Sequence, residues 1–349
     1  MSSINKREIL KYVGCTSQLF GVKDYRMIGG KADGVRAVDV KNGTGLEFTV
    51  LPDRCLDIYC LSYKGVNLSY LSKTGVVAPQ YYNDRGTEWL RSFYAGMLTT
   101  CGMTQVGAAC VDNGQELGLH GRVSNIPAEE VYAGSEWEGD TPVMRVKGKM
   151  REAIVFGENL ILSREIVCKY GENKIHINDT VENLGYREEP LMILYHINLG
   201  YPLLSENSFF AANSLEVVPS TDEAAKGLSE YNKCLPPTNG FLEHVFYHDL
   251  KADSEGKTFA ALVNPDLNLA VAIRFNKNQL SHLTQWKQMG AGEYVMGIEP
   301  CNCHTKGRAE ARKDGTLQFI KPGEVKHFNV EIEVVDGEKN INELVASTK

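Results

Sequence analysis

Residues 143–182 read VMRVKGKMREAIVFGENLILSREIVCKYGENKIHINDTVE. Apolar and polar residues alternate through this stretch, and Gly-Glu-Asn breaks the alternation twice, at 157–159 and at 171–173. A short glycine-bearing loop between alternating runs is a hairpin signal. The pattern predicts a strand at 143–150, a hairpin joining 152–156 to 160–170, and a second hairpin leading on to 174–182. The same period of two recurs in both directions. Leu46, Phe48 and Val50 alternate with Glu47 and Thr49; Phe328, Val330, Ile332 and Val334 alternate with Asn329, Glu331 and Glu333. These are half-buried strands. Further runs lie at 190–199, 258–263, 267–275, 280–287 and 294–299.

Helical signals are few and short: residues 5–12 with Asn5 as cap, and residues 308–313. Strands that do not alternate with longer helices disfavour a doubly wound parallel sheet. No linker or repeat divides the chain, and the loop-rich stretch 205–239 reads as a crossover. The expectation is an all-β protein, one large antiparallel β-sandwich domain over 1–349 with its core at about 40–335.

The composition is that of a globular protein, 43% hydrophobic and 23% charged, so disordered and collagen-like classes are excluded. With 37 basic against 44 acidic residues the net charge is −7, which disfavours nucleic acid and anionic membrane as partners. The first fourteen residues contain charges and no apolar stretch of signal-peptide type. Nine scattered cysteines then read as reduced thiols, and the expected compartment is the cytoplasm. There is no dinucleotide fingerprint, Walker loop, nucleophile elbow or zincin motif.

Three segments place titratable groups where packing alone does not need them. In Gly118-Leu119-His120-Gly121-Arg122 a histidine sits beside glycines that allow close backbone approach, either as a ligand contact or as a hydrogen-bonded structural residue. In LMILYHINLG, residues 191–200, alternation sends Met192, Leu194, His196 and Asn198 to one face, which turns from apolar to polar along the strand. A strand leaving a core for a cleft has that profile. In MGIEPCN, residues 296–302, Glu299 ends an apolar run before Pro300, where burial would raise its pKa into the range a general base needs. A surface ion pair is the plainer reading of Glu299. Gln285 and Lys287 share one strand face and suit hydroxyl and oxyanion recognition, although Lys287 also fits a solvated surface. Cys301, Cys303 and His304 suggest a metal, but the spacing is short for zinc and no second ligand pair completes a site, so no metal or cofactor is expected.

In this order the segments resemble the aldose 1-epimerase (galactose mutarotase-like) superfamily. The matching pieces are Leu119-His120-Gly121, residues 194–200 and Gly297-Ile298-Glu299-Pro300. Leu51-Pro52-Asp53-Arg54 and FYAGMLTTCG at 93–102 are similar to a domain-of-unknown-function branch of it. The resemblance, over residues 40–335, implies a β-supersandwich that binds an aldose and interconverts its anomers. It makes Glu299 the general base, His196 the general acid and His120 a hydrogen-bonding partner of the sugar. Arg54 is preferred to Arg91 for the family's arginine, and Asp249 is nearest by order to its substrate-fixing aspartate. The expected substrate-binding set is Arg54, Asp53, Gln285, Lys287 and Asn302. Arg54 and Lys287 together would favour an anionic sugar. The alternative functions are a non-catalytic carbohydrate-binding or regulatory protein on this fold, and a metal-dependent isomerase using Cys301 to His304.

Overall fold

Three antiparallel sheets carry most of the chain in the computed structural model, which describes residues 5–348. The largest has eight strands in the order Phe209–Ala212, Lys257–Asn264, Leu269–Asn276, Val325–Asp336, Lys174–Asn183, Asn159–Lys169, Thr141–Ala153 and Glu129–Glu138. The second has six, in the order Ser214–Pro219, His244–Leu250, His282–Gly290, Glu293–Cys301, Met192–Leu199 and Leu98–Met103. The third is an N-terminal meander from Gly21–Arg26 to Val66–Asn67. The all-β antiparallel expectation holds, and the alternation explains it. Ile175, Ile177, Val330 and Ile332 of the eight-stranded sheet share one apolar core with Ile193, Tyr195, Ile197, Met296 and Ile298 of the six-stranded sheet. Burying these inward faces is the main favourable term for such an architecture.

A charged network crosses that core and ties the three sheets together. The Arg164 guanidinium donates to Asp57 Oδ1 at 2.7 Å, Asp179 Oδ2 at 2.7 Å and Thr100 Oγ1 at 2.8 Å. Asp57 also accepts the Thr100 amide at 2.8 Å, and the Tyr195 hydroxyl donates to Asp179 at 2.7 Å. Arg164, Asp57 and Asp179 are fully buried. Their unusual cost is tolerable because each charge has an opposite partner and further hydrogen bonds. Tyr195 is thereby pinned from below, which fixes the strand on which His196 points the other way.

Local departures from the expected pattern have simple causes. The first hairpin turns at 154–158, where Ile154 N donates to Glu158 O and Gly157 N to Ile154 O, so Ile154, Val155 and Phe156 form an exposed tip and no separate strand. The N-terminal helix is the single turn Lys6–Ile9, capped by the Asn5 side chain, while Arg308–Lys313 is helical as expected. A further helix, Glu338–Ala346, closes the chain. Pro300 does not end its strand, which continues to Cys301. It is tolerated because pairing with the Met192–Leu199 strand lapses between Leu194↔Cys301 and Ile197↔Ile298, so a missing amide hydrogen costs nothing there. No helix of the described residues is long and apolar enough to cross a membrane.

Candidate functional site

That lapse in the ladder lies beside His196 and Glu299. Alternation on the Met192–Leu199 strand works as the sequence predicts: Ile193, Tyr195 and Ile197 enter the main core, and Met192 and Leu194 enter a second apolar cluster on the opposite face. His196 follows on that second face and lines a cleft of about 520 Å³ together with His120 and Glu299. His196 Nδ1 lies 3.3 Å from Glu299 Oε1. Gly297, two residues before the glutamate on the same face, leaves the space its carboxyl occupies, since a Cβ there would collide with Oε1.

Rings enclose the three groups. His196 meets Phe93 at 5.1 Å, Trp286 at 5.3 Å and His120 at 5.7 Å, while Trp89 stacks on Phe93 at 4.5 Å and lies 4.7 Å from His120. Trp89 is held by a 3.0 Å bond from Nε1 to Ser124 Oγ, and Trp286 by a 2.7 Å bond from Nε1 to Glu243 Oε2. His120 has φ of +59° in a loop that packs tightly on the six-stranded sheet; a Cβ at Gly121 would run into the carbonyls of Gly102 and Gln105. A side chain held in left-handed backbone at a cleft is a site for strain that function retains. Its Nδ1 is buried with no hydrogen-bond partner, as is Glu299 Oε1. Two unpaired polar atoms at one cleft wall are what a polar ligand would satisfy.

The electrostatics follow from burial. Desolvation pushes His196 down to about 3, helped by the neighbouring His120, and His120 itself down to about 4. Desolvation first, then the Glu243 carboxylate, raises Glu299 well above the ordinary range. A linked expectation concerns stability. Between about pH 4 and 6.5 the unfolded chain binds imidazole protons that the folded cleft refuses, so stability falls as pH drops through that window. A His120→Asn/His196→Asn double variant should lose less of its urea midpoint between pH 7 and pH 4.5 than the parent does. Equal losses would mean that these imidazoles do not stay neutral in the fold.

The other expected site residues lie elsewhere. Strand register decides the largest correction: Thr284 is opposite Glu299, whereas Gln285 pairs with Ile298 and Lys287 with Met296. Cross-strand partners share a face, so Thr284 and Trp286 line the cleft while Gln285 and Lys287 point beneath the sheet. There Gln285 Oε1 accepts from His248 Nε2 at 3.0 Å, and Lys287 Nζ donates to Glu230 O at 2.8 Å under the crossover. Arg54 is buried and donates to the carbonyls of Ser124, Val77 and Ser92, stapling loops. Asp53 accepts the Arg36 amide, and Asn302 bridges Ile193 N and Leu191 O. None of these five lines the cleft. Asp249 pairs with Lys277, and Arg91 with Glu88, both at the surface. Cys301 and Cys303 are buried and His304 packs against Tyr247 and His282. No group of three or more His, Cys, Asp or Glu with metal-holding geometry occurs among the described residues.

Sequence reasoning missed Trp89, Phe93, Glu243, Thr284, Trp286 and Lys306, all of which line the cleft. Only the tryptophans carried a signal: two of the three in the chain converge here, and an indole is costly to place in a wall without a use for its N–H.

The family model described as domain of unknown function (DUF4432) matches residues 32–334. The chain is similar in structure to a putative aldose 1-epimerase from Klebsiella pneumoniae, with a TM-score of 0.90 and 26% identity over 99% of this chain and 94% of that one. It is also similar to a galactose mutarotase-like protein from Clostridium acetobutylicum, with a TM-score of 0.60 and 16% identity over 90% and 98% of the two chains. A galactose 1-epimerase from Lactobacillus acidophilus aligns with a TM-score of 0.61 and 14% identity over 91% and 99%. At those lower identities the likeness is one of fold. No curated protein sequence matches the chain.

Proposed function

Because the chain belongs to the DUF4432 family and has the galactose mutarotase-like fold, we propose that it interconverts the anomers of an aldose by proton transfer between His196, Glu299 and the sugar. The observation that carries this reading is the pairing of an imidazole and a carboxyl, 3.3 Å apart, in one cleft walled by indole and phenyl rings. The rings offer apolar faces for the C–H faces of a pyranose. Anomer exchange needs one proton removed from the anomeric hydroxyl and one given to the ring oxygen, which opens the ring; rotation of the carbonyl and reclosure give the other anomer. Two positioned acid/base groups supply this, each worth about 10²–10⁴-fold. A group that only binds sugar has no need of a desolvated carboxyl beside an imidazole.

The substrate favoured here is a neutral aldose. Arg54 and Lys287, the two cations on which an anionic sugar depended, face away from the cleft; Lys306 lines it, alongside Glu243 and Glu299. Lys287→Met should therefore leave the preference between a sugar and its phosphate unchanged in calorimetric titrations at two salt concentrations. Its stability effect should stay within about 1 kcal/mol, because an apolar isostere replaces a buried charge and Glu230 O keeps the Lys233 amide. A preference that erodes in this variant would return Lys287 to sugar recognition. The proposal itself is tested by following freshly dissolved pure anomers of several aldoses polarimetrically. Faster equilibration of at least one supports it. Sugar binding without acceleration would identify a carbohydrate-binding protein instead.

A further inference from the structure

His196 and Glu299 could share their proton in two ways, and a neighbouring amide distinguishes them. His196 Nδ1 is 2.6 Å from Asn198 Oδ1. The Asn198 amide cannot turn over, because its Nδ2 donates to two carbonyls, Gly96 O at 3.1 Å and His196 O at 2.9 Å. Turning it would set oxygen against oxygen at both, with an NH₂ facing the imidazole. Asn198 Oδ1 is thus an obligate acceptor, so Nδ1 must carry hydrogen, and Nε2 is the nitrogen left for a ligand.

Resting on the anomer-exchange reading above, we propose that Asn198 is a positioning residue that holds His196 as the neutral Nδ1–H tautomer. The Nε2 lone pair is then the site's proton acceptor, and a protonated Glu299 carboxyl is its proton donor. These roles are the reverse of those the family resemblance implies. Geometry favours the neutral pair over the ion pair. The carboxyl lies on the Nδ1 side of the ring, so a proton added at Nε2 would sit on the edge away from it. Glu299 Oε1, the oxygen nearer the imidazole, is buried without a hydrogen bond that would steady an anion. The titratable groups that act on the pair are His120 from its loop, Glu243 across the cleft, and the Cys101 and Cys301 thiols; Lys306 lines the same cleft but is not among the groups that shift either His196 or Glu299. Desolvation acts in the same direction, lowering His196 and raising Glu299.

The proton count closes over one cycle. His196 Nε2 takes the proton of the anomeric hydroxyl, whose O–H electron pair forms the C1=O bond. The C1–O5 bond breaks, its pair going to O5, which takes the proton of Glu299. After the carbonyl rotates, O5 attacks its other face and returns its proton to Glu299. The carbonyl oxygen takes the proton held on His196, and both groups are back in their starting states.

The direct test is ¹⁵N NMR of the ¹⁵N-histidine-labelled, sugar-free protein at neutral pH, with His196 assigned by comparison with His196→Asn. The expected result is a protonated Nδ1 and an unprotonated Nε2. An imidazolium, or hydrogen on Nε2 alone, would overturn the inference. Because no turnover enters this measurement, it is decided separately from the anomerase reading. Two variants extend it. Asn198→Asp puts a carboxylate on Nδ1–H and should raise the acidic limb of the kcat/KM profile by about one pH unit or more. Asn198→Leu should lower kcat about tenfold or more with KM little changed, since it frees the tautomer without touching the rings that bind sugar. An Asn198→Asp profile that does not move would also contradict the role assigned to the amide.

Discussion

Glu299→Gln should lower the rate of anomer exchange by at least about 10²-fold while leaving sugar affinity near that of the parent. The amide keeps the shape of the carboxyl but can neither give nor take the proton that ring opening requires. Little stability should be lost, because Glu299 is buried beside the Gly297 gap and its desolvation already favours the uncharged form that the amide imitates. Isothermal titration and saturation-exchange NMR on one preparation separate the two effects. Exchange near the parental rate would remove Glu299 from the chemistry, and a parallel loss of affinity would make it a binding residue.

The largest effect on stability is expected from Arg164→Ala, at about 3–5 kcal/mol. The cost comes less from a lost attraction than from what remains. Asp57 and Asp179 would be left as carboxyls without a cation, both fully buried, and Thr100 and Tyr195 would lose the frame that orients them. Because Tyr195 precedes His196, a variant that still folds should also show weakened exchange. Urea denaturation reads the first effect. A midpoint shift corresponding to less than about 1 kcal/mol, the range of an exposed ion pair, would show that the network does not join the three sheets.

Which parts of this were legible in the sequence depended on how far a pattern reaches. Period two is local, so the face of the Met192–Leu199 strand that carries His196 and Asn198 could be read directly, and burial of Ile193, Tyr195 and Ile197 on the other face bears it out. His120, His196 and Glu299, each marked by an unusual neighbourhood, converge on one cleft. Register is not local. Parity along 282–290 leaves two choices, and only the pairing Thr284↔Glu299 shows that Trp286 enters the cleft and Lys287 the underside. Arg54 illustrates a second limit. Its position after a strand end was visible, but nothing in the neighbouring residues shows that three carbonyls from distant loops, Ser124, Val77 and Ser92, would satisfy its guanidinium. Asn302 is similar, since its two backbone partners lie more than a hundred residues away. The aromatic wall escaped for a third reason: Trp89 sits in a short 3₁₀ turn, Glu88–Arg91, where no periodicity points to a face.

The reaction proposed for this cleft is the opening and reclosing of a sugar ring through His196 and Glu299. One-dimensional NMR saturation exchange tests it most directly, by irradiating one anomeric proton of an equilibrated aldose and reading the signal of the other. The wild-type protein should transfer saturation between the α and β signals of at least one aldose, at a rate proportional to protein concentration, and Glu299→Gln and His196→Asn should not. Transfer that persists unchanged in both variants, or an aldose that binds the wild-type cleft with no transfer at all, would contradict it.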